Sequence, residues 1–458
     1  MKQLLTLISI IILTGAHAQN SYEKLWSKVE ILELEGKTSS ANEIVTSIYK
    51  KAKKKNNSSQ LIKSLLYLSK NSLILKEDAE LEIVQVLEKE IKEADFPTNT
   101  ILQSILAEFK WEYLKKYRWQ IYNRTKTSEI VNTDFRTWDL NTLFTSIHND
   151  YKKSIRSANA LQNISILEYN YILTKGNEKE KLRPTLYDLL ANRALDFFKT
   201  NESRITKPKD RFYIDNENYF SNSNSFVNLN IESTDSIFSK YEVLKTYQKI
   251  EKFHLKNNHL DALTDAYLRR LKFVKNNFTK AEKGNNHLEE SLFKSYTNTK
   301  KGNAYATLKA NYAKVIYEDA TLKKQPENRK KALSICNEIL REFKDSEGFV
   351  MATNLKKEIL HKSIEIKNEE IIPVNSLSKI LITYKNIKQV QIAIYKTDPD
   401  YNFYKYNYED RDSIIKEFFK KEKPIKKFNT KLPQKNDYFN HSTEVVIPEL
   451  NSGSYLIL

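Results

Sequence analysis

His254 and His259 come nearest in this chain to a metal or acid–base set. They stand five residues apart, which does not align them on one helical face, and no Cys or further His nearby completes a tetrahedral set. No metal site and no cofactor are expected. The single cysteine, Cys336, allows no intrachain disulfide. It falls on a helical apolar stripe with Ala332, Ile339, Leu340 and Phe343, so it reads as a buried structural thiol and not as a nucleophile. The carboxylate pairs Glu289-Glu290 and Glu369-Glu370 lie in polar surroundings or at segment ends and read as solvated. No glycine-rich phosphate loop, no Gly-x-Ser-x-Gly elbow and no His-Glu-x-x-His is present. No catalytic residue is assigned, and the chain reads as a non-enzyme.

One stretch is dense enough in aromatic and basic side chains to recognise a ligand. Between Arg118 and Asp139 lie Trp119, Tyr122, Arg124, Phe135 and Trp138, an interleaving that carbohydrate and peptide sites share with ordinary cores. Trp119, Arg124 and Trp138 are the candidate interaction surface. The Lys50–Lys55 cluster is read as a solvated helix end, where lysines suit the helix dipole.

The elements that would position these residues are mostly helices. Only 7 Gly and 9 Pro in 458 residues disfavour an all-β chain, and 27 Tyr with 21 Phe point to aromatic cores. The formal charge of +17 comes from lysines spread among 58 acidic residues, with no Arg-rich block, so nucleic acid is not expected as a partner. Lys2, the apolar run Leu4–Leu13 and Ala16-His17-Ala18 read as a signal peptide over residues 1–18, cleaved after Ala18. The chain is therefore expected to be exported: periplasmic, outer-membrane-associated or secreted. No transmembrane segment is expected in the mature chain.

Residues 19–200 read as an N-terminal helical domain. Trp26, Val29, Ile31, Leu32 and Leu34 form a first stripe ended by Gly36, and Ser39 or Ser40 is placed to cap the next helix. Such αα-hairpins are the unit of tetratricopeptide-like (TPR-like) arrays. Residues 201–233 read as an irregular linker or long loop, and 234–370 as a TPR-like helical domain with a polar break at Ala281–Asn286. From 376 to 458 the pattern changes to strands: Ser378–Tyr384, Val390–Tyr395, Thr443–Ile447 and Ser454–Leu458. A closing strand with no turn after it reads as the front part of a longer protein.

Three pieces of the first half resemble the N-terminal region of bacterial alpha-2-macroglobulin-family proteins of Bacteroidetes type. They are Ile101–Glu108, the run through Arg118-Trp119, Asn123-Arg124-Thr125, Asp134-Phe135 and Thr137-Trp138-Asp139, and Leu182–Asp188. Phe343–Gly348 is similar to the segment that precedes the first macroglobulin domain in that family. Tyr384-Lys385-Asn386, Ile392–Lys396, Leu432-Pro433, His441–Glu444 and Pro448–Tyr455 resemble strands and turns of such a domain. The resemblance implies a mainly α fold followed by an incomplete β-sandwich of macroglobulin type. It also implies an envelope protein related to broad-spectrum protease inhibitors, with proteases or envelope proteins as partners. Cys336 is followed by Asn337-Glu338-Ile339, which departs from the family's Cys-Gly-Glu-Gln thioester, and no bait region is recognisable. The expected function is thus a non-catalytic N-terminal portion of such an inhibitor, truncated before its trapping parts. The alternative is a standalone secreted TPR-like module that binds peptide or glycan.

Overall fold

The computed structural model describes residues 20–125, 133–173, 180–200, 212–233, 239–323, 325–398, 413, 416–418 and 420–458. The expected signal peptide and the first part of the expected linker, 201–211, lie outside the described residues. The chain is mainly helical, with small antiparallel sheets toward its C-terminal end. It divides into two compact units, one up to Ser291 and one from Leu292 to Leu458.

The first unit opens with α1 (Asn20–Leu34), α2 (Thr38–Lys54), α3 (Ser58–Leu75), α4 (Ala79–Glu93) and α5 (Thr98–Lys116), each packed on the next. The three- and four-residue apolar spacings bury one face of each helix, as with Ala41, Val45 and Ile48 of α2. The α1 stripe is helical as expected, but Trp26 and Val29 are buried while Leu34 is 89% exposed. Gly36 ends α1 at φ +72°, a left-handed position, with Lys37 N–H bonded back to the Leu32 carbonyl. Ser39 and Ser40 do not cap α2. The helix starts one residue earlier, at Thr38, and its N-cap Lys37 makes no side-chain capping bond. Asn57 does cap α3, accepting from the Gln60 N–H at 3.1 Å.

Short α6 (Arg118–Tyr122), α7 (Leu140–Ser154), short α8 (Ala158–Gln162) and α9 (Leu186–Phe198) follow. Thr185 and Asp188 form a capping box at the start of α9. This helix buries Leu190, Leu195, Phe197 and Phe198, and the Phe197 ring lies 5.0 Å from Phe144 and 5.1 Å from Trp111. The described part of the expected linker is irregular, but it is packed into the first unit. Between residue 212 and short α10 (Ser223–Phe226) and just beyond, it buries Tyr219, Phe220, Phe226 and Ile231. Isolated aromatics in a polar segment are anchors here and not linker residues. Then come α11 (Ser239–Lys256), α12 (Leu260–Asn277) and α13 (Ala281–Thr297). The expected break at Ala281–Asn286 is the first turn and a half of α13. Its Gly284 is buried beside Lys275 and Phe278.

Beyond the end of α13, the second unit holds three helices that pack on one another, α14 (Asn303–Lys323), α15 (Pro326–Glu342) and α16 (Glu347–Leu360). Among the described residues, six strands follow: β1 (Ser363–Lys367), β2 (Ser378–Lys385), β3 (Gln389–Thr397), β4 (Lys426–Lys431), β5 (His441–Ile447) and β6 (Ser454–Ile457). They form two three-stranded antiparallel sheets, ordered β1-β2-β5 and β4-β3-β6. One apolar cluster joins both sheets, with Ile380, Ile382 and Tyr384 from β2, Ile392 and Ile394 from β3, and Val445 and Ile447 from β5. The four expected strands are present. Two more were not foreseen, and β1 begins the sheet region 13 residues before the expected boundary at 376.

The strands are docked on the helices by polar clamps. Arg329 of α15 stacks on Phe439 at 3.7 Å, donates to the Tyr438 carbonyl, and bonds Thr321 Oγ1 at 2.7 Å. In the β2–β3 turn, Asn386 at φ +54° donates Nδ2 to the Ile359 and His361 carbonyls at 2.8 and 3.0 Å. It satisfies the open carbonyls at the end of α16.

Candidate functional site

The three residues singled out in sequence fall into two groups. Arg124 and Trp138 meet: Arg124 Nη1 donates to the Trp138 carbonyl at 2.8 Å. Trp138 is half-buried, 6.4 Å edge-on from buried Phe135, with Lys110 Nζ 5.8 Å over its ring. Lys110 is itself buried and bonds Asp150 Oδ2 at 3.0 Å and Ser146 Oγ at 3.2 Å. Burial pushes the Asp150 carboxyl up, against the pull of Lys110. Arg124 and Trp138 therefore tie residues 118–125 to residues 133–139, with Trp138 set against Lys110 of α5. Trp119 stands apart, 79% exposed, with Tyr122 as its ring neighbour at 6.5 Å.

The structure brings His254 and His259 together, contrary to the expectation from their spacing. The α11 helix stops at Lys256, Asn258 turns at φ +54°, and His259 N–H returns to the His254 carbonyl at 3.0 Å. The two Nδ1 atoms are 3.3 Å apart, so one ring donates to the other. Buried His254 turns its Nε2 to Asp188 Oδ1 at 2.9 Å, and Asp188 Oδ2 accepts from Thr185 N–H and Oγ1 at 3.0 and 2.8 Å. Both nitrogens of His254 are thereby engaged. The arrangement locks the start of α9 to the end of α11 and leaves no ring nitrogen of His254 for a metal. Among the described residues, no group of three or more His, Cys, Asp or Glu is placed to hold a metal ion.

Two features had no clear signal in the sequence. Lys199, at the C-cap of α9, has its ammonium pushed down to about 8, first by burial and then by repulsion from Arg269. Its Nζ sits 5.1 Å over the Tyr247 ring. The second feature is an open cleft of about 730 Å³ between the α8 region and α11. Arg156, Asn159 and Asn163 line one side, and Lys249, Lys252 and Lys256 the other. A row of lysines three and four residues apart was available as a hint, but the opposing wall lies about ninety residues earlier in the chain.

Comparison of the chain with protein-family models, with curated proteins and with solved structures finds no match. Among the described residues, no helix is long and apolar enough to cross a membrane.

Proposed function

We propose that this chain is a non-catalytic scaffold region of an exported alpha-2-macroglobulin-like envelope protein, and that residues 361–458 belong to a domain of macroglobulin type. The observation that carries the reading is the order and docking of elements in the second unit. A three-helix block runs straight into two antiparallel sheets that share one apolar cluster, and Arg329 and Asn386 join the two parts. That order agrees with the resemblance of Phe343–Gly348, Ile392–Lys396 and Pro448–Tyr455 to the approach, strands and turn of such a domain. A scaffold role, and not trapping, follows from Cys336: it lacks the thioester motif and is fully buried. Its partners on this reading are proteases or envelope proteins engaged by the whole protein. Reading the DNA beyond the codon for Leu458 tests the proposal. Further macroglobulin-like domains with a bait region would support it. A frame that closes without them, with no remnant downstream, would overturn it.

A further inference from the structure

The cleft between α8 and α11 has no carboxylate in its lining. Arg156, Lys249, Lys252 and Lys256 face it, and none of the four has an ion-pair partner among the described residues. Several other exposed lysines of this chain do sit beside acids at helical spacing, as Lys314 does with Glu318 and Lys323 with Asp319. Lys249, Lys252 and Lys256 instead repeat like charge at intervals of three and four, an arrangement that weakens a helix. Over those seven residues the helix rises about 10 Å, so the charges form a row and not a point. Lys249 is open to water yet enclosed enough for desolvation to hold its pKa below the ordinary lysine value; Lys245 and Lys152 add repulsion, and Glu242 opposes both effects. Opposite the row, the carboxamides of Asn159 and Asn163 make no hydrogen bond among the described residues, so donors and acceptors are both on offer.

We infer that this cleft binds a short acidic oligosaccharide whose negative charges repeat along the lysine row and whose hydroxyls meet the asparagine amides. The volume falls in the range of small-ligand sites, roughly 300–1,000 Å³. Single-stranded nucleic acid is disfavoured because it needs a series of aromatic platforms. The one aromatic residue in the lining, Phe253, has its ring against His254 and His259 at 5.2 and 5.8 Å. An acidic peptide that adds as a strand is disfavoured too, because the walls come from helical segments and offer no strand edge. The inference rests on the cleft alone and survives if the macroglobulin-like reading fails.

Titration calorimetry of the chain from Gln19 with tetragalacturonate tests it, at low and at raised salt. The expected result is one site per chain, weakened by salt and weakened about tenfold or more by Lys249→Gln with Lys252→Gln. The fully methyl-esterified, uncharged tetramer should not bind. These side chains are exposed, so the variant should keep its circular dichroism; should it unfold, Lys252→Gln with Lys256→Gln carries the same expectation. The inference is overturned by absent binding, by undiminished binding in a folded double variant, or by equal affinity for the esterified tetramer. Affinity for oligothymidylate or oligoglutamate equal to that for tetragalacturonate overturns it as well.

Discussion

Lys199 and Cys336 show what burial does to single groups. An unfolded lysine holds its proton to about pH 10.5, whereas folded Lys199 releases it at about 8. Between those values the unfolded chain binds more protons than the folded one, so this group's contribution to stability rises with pH through that window and is least favourable below it. Lys199→Met removes the dependence. The variant's melting temperature relative to the parent chain should be highest near neutrality and fall as pH rises from about 8 toward about 10, and parallel thermal melts check it. A difference independent of pH would clear Lys199 of this role. Burial raises the Cys336 thiol to about 11, and its side chain is fully covered. An aromatic disulfide reagent should therefore label no thiol in the native chain at neutral pH and one thiol after denaturation. Labelling of the native chain would contradict the burial.

Two positions govern how elements pack. Gly348 lies in the first turn of α16, where a Cβ would come within 2.4 Å of the Ala306 carbonyl group on α14. Gly348→Ala should force the two helices apart and lower stability by about 1–3 kcal/mol or more, read as a fall in the urea midpoint. Arg270 of α12 is completely buried. It bonds Glu251 of α11 at 2.7 Å, stacks on Phe226 at 3.8 Å, and donates to the Tyr219 and Ser221 carbonyls. It thus holds the short helical turns Glu217–Phe220 and Ser223–Phe226 onto two helices. Arg270→Met should cost about 3–5 kcal/mol, because the Glu251 charge is left buried and unpaired. The double change Arg270→Met with Glu251→Leu should cost less than the single one in chemical denaturation. A larger cost for the double change would show that Glu251 is not left unsatisfied when Arg270 is removed, and would overturn the ion-pair account.

At the scale of the molecule, the place where the sheet region starts has consequences. β1 pairs along the whole of its five residues with β2, from Ser363 opposite Lys385 to Lys367 opposite Leu381. A fragment of residues 376–458 loses that strand and bares an edge of β2, so it should be poorly soluble or melt without cooperativity. A fragment starting at His361 should behave better on both counts. Equal behaviour of the two fragments in thermal melts would deny β1 its role. Export is tested by Edman sequencing of chain recovered outside the cytoplasm: the expected N-terminus is Gln19, and an intact Met1 would refute cleavage after Ala18.

Much of the helical architecture was legible because its information is local. Apolar residues three and four apart and Gly36 after a stripe each specify a face or a stop within a few residues. The strands β2, β3 and β5 were legible for the same reason, through β-branched and aromatic runs. Strands β1 and β4 were not. Both lie at sheet edges, where Ser-Ile-Glu-Ile-Lys and Lys-Lys-Phe-Asn-Thr-Lys mix in charge; Ile366 and Phe428 pack against the shared cluster, but backbone pairing with a neighbour is needed to set these segments as strands. What the sequence alone determined is most of the helices, the strands β2, β3, β5 and β6, and that Cys336 points inward. Only the tertiary structure decided which distant side chains meet: His254 with Asp188, Arg270 with Glu251 and Tyr219, and the lysine row of α11 with Arg156. The periodicity of a helix says which residues share a face, but the partner of that face is chosen by the packing of the whole chain.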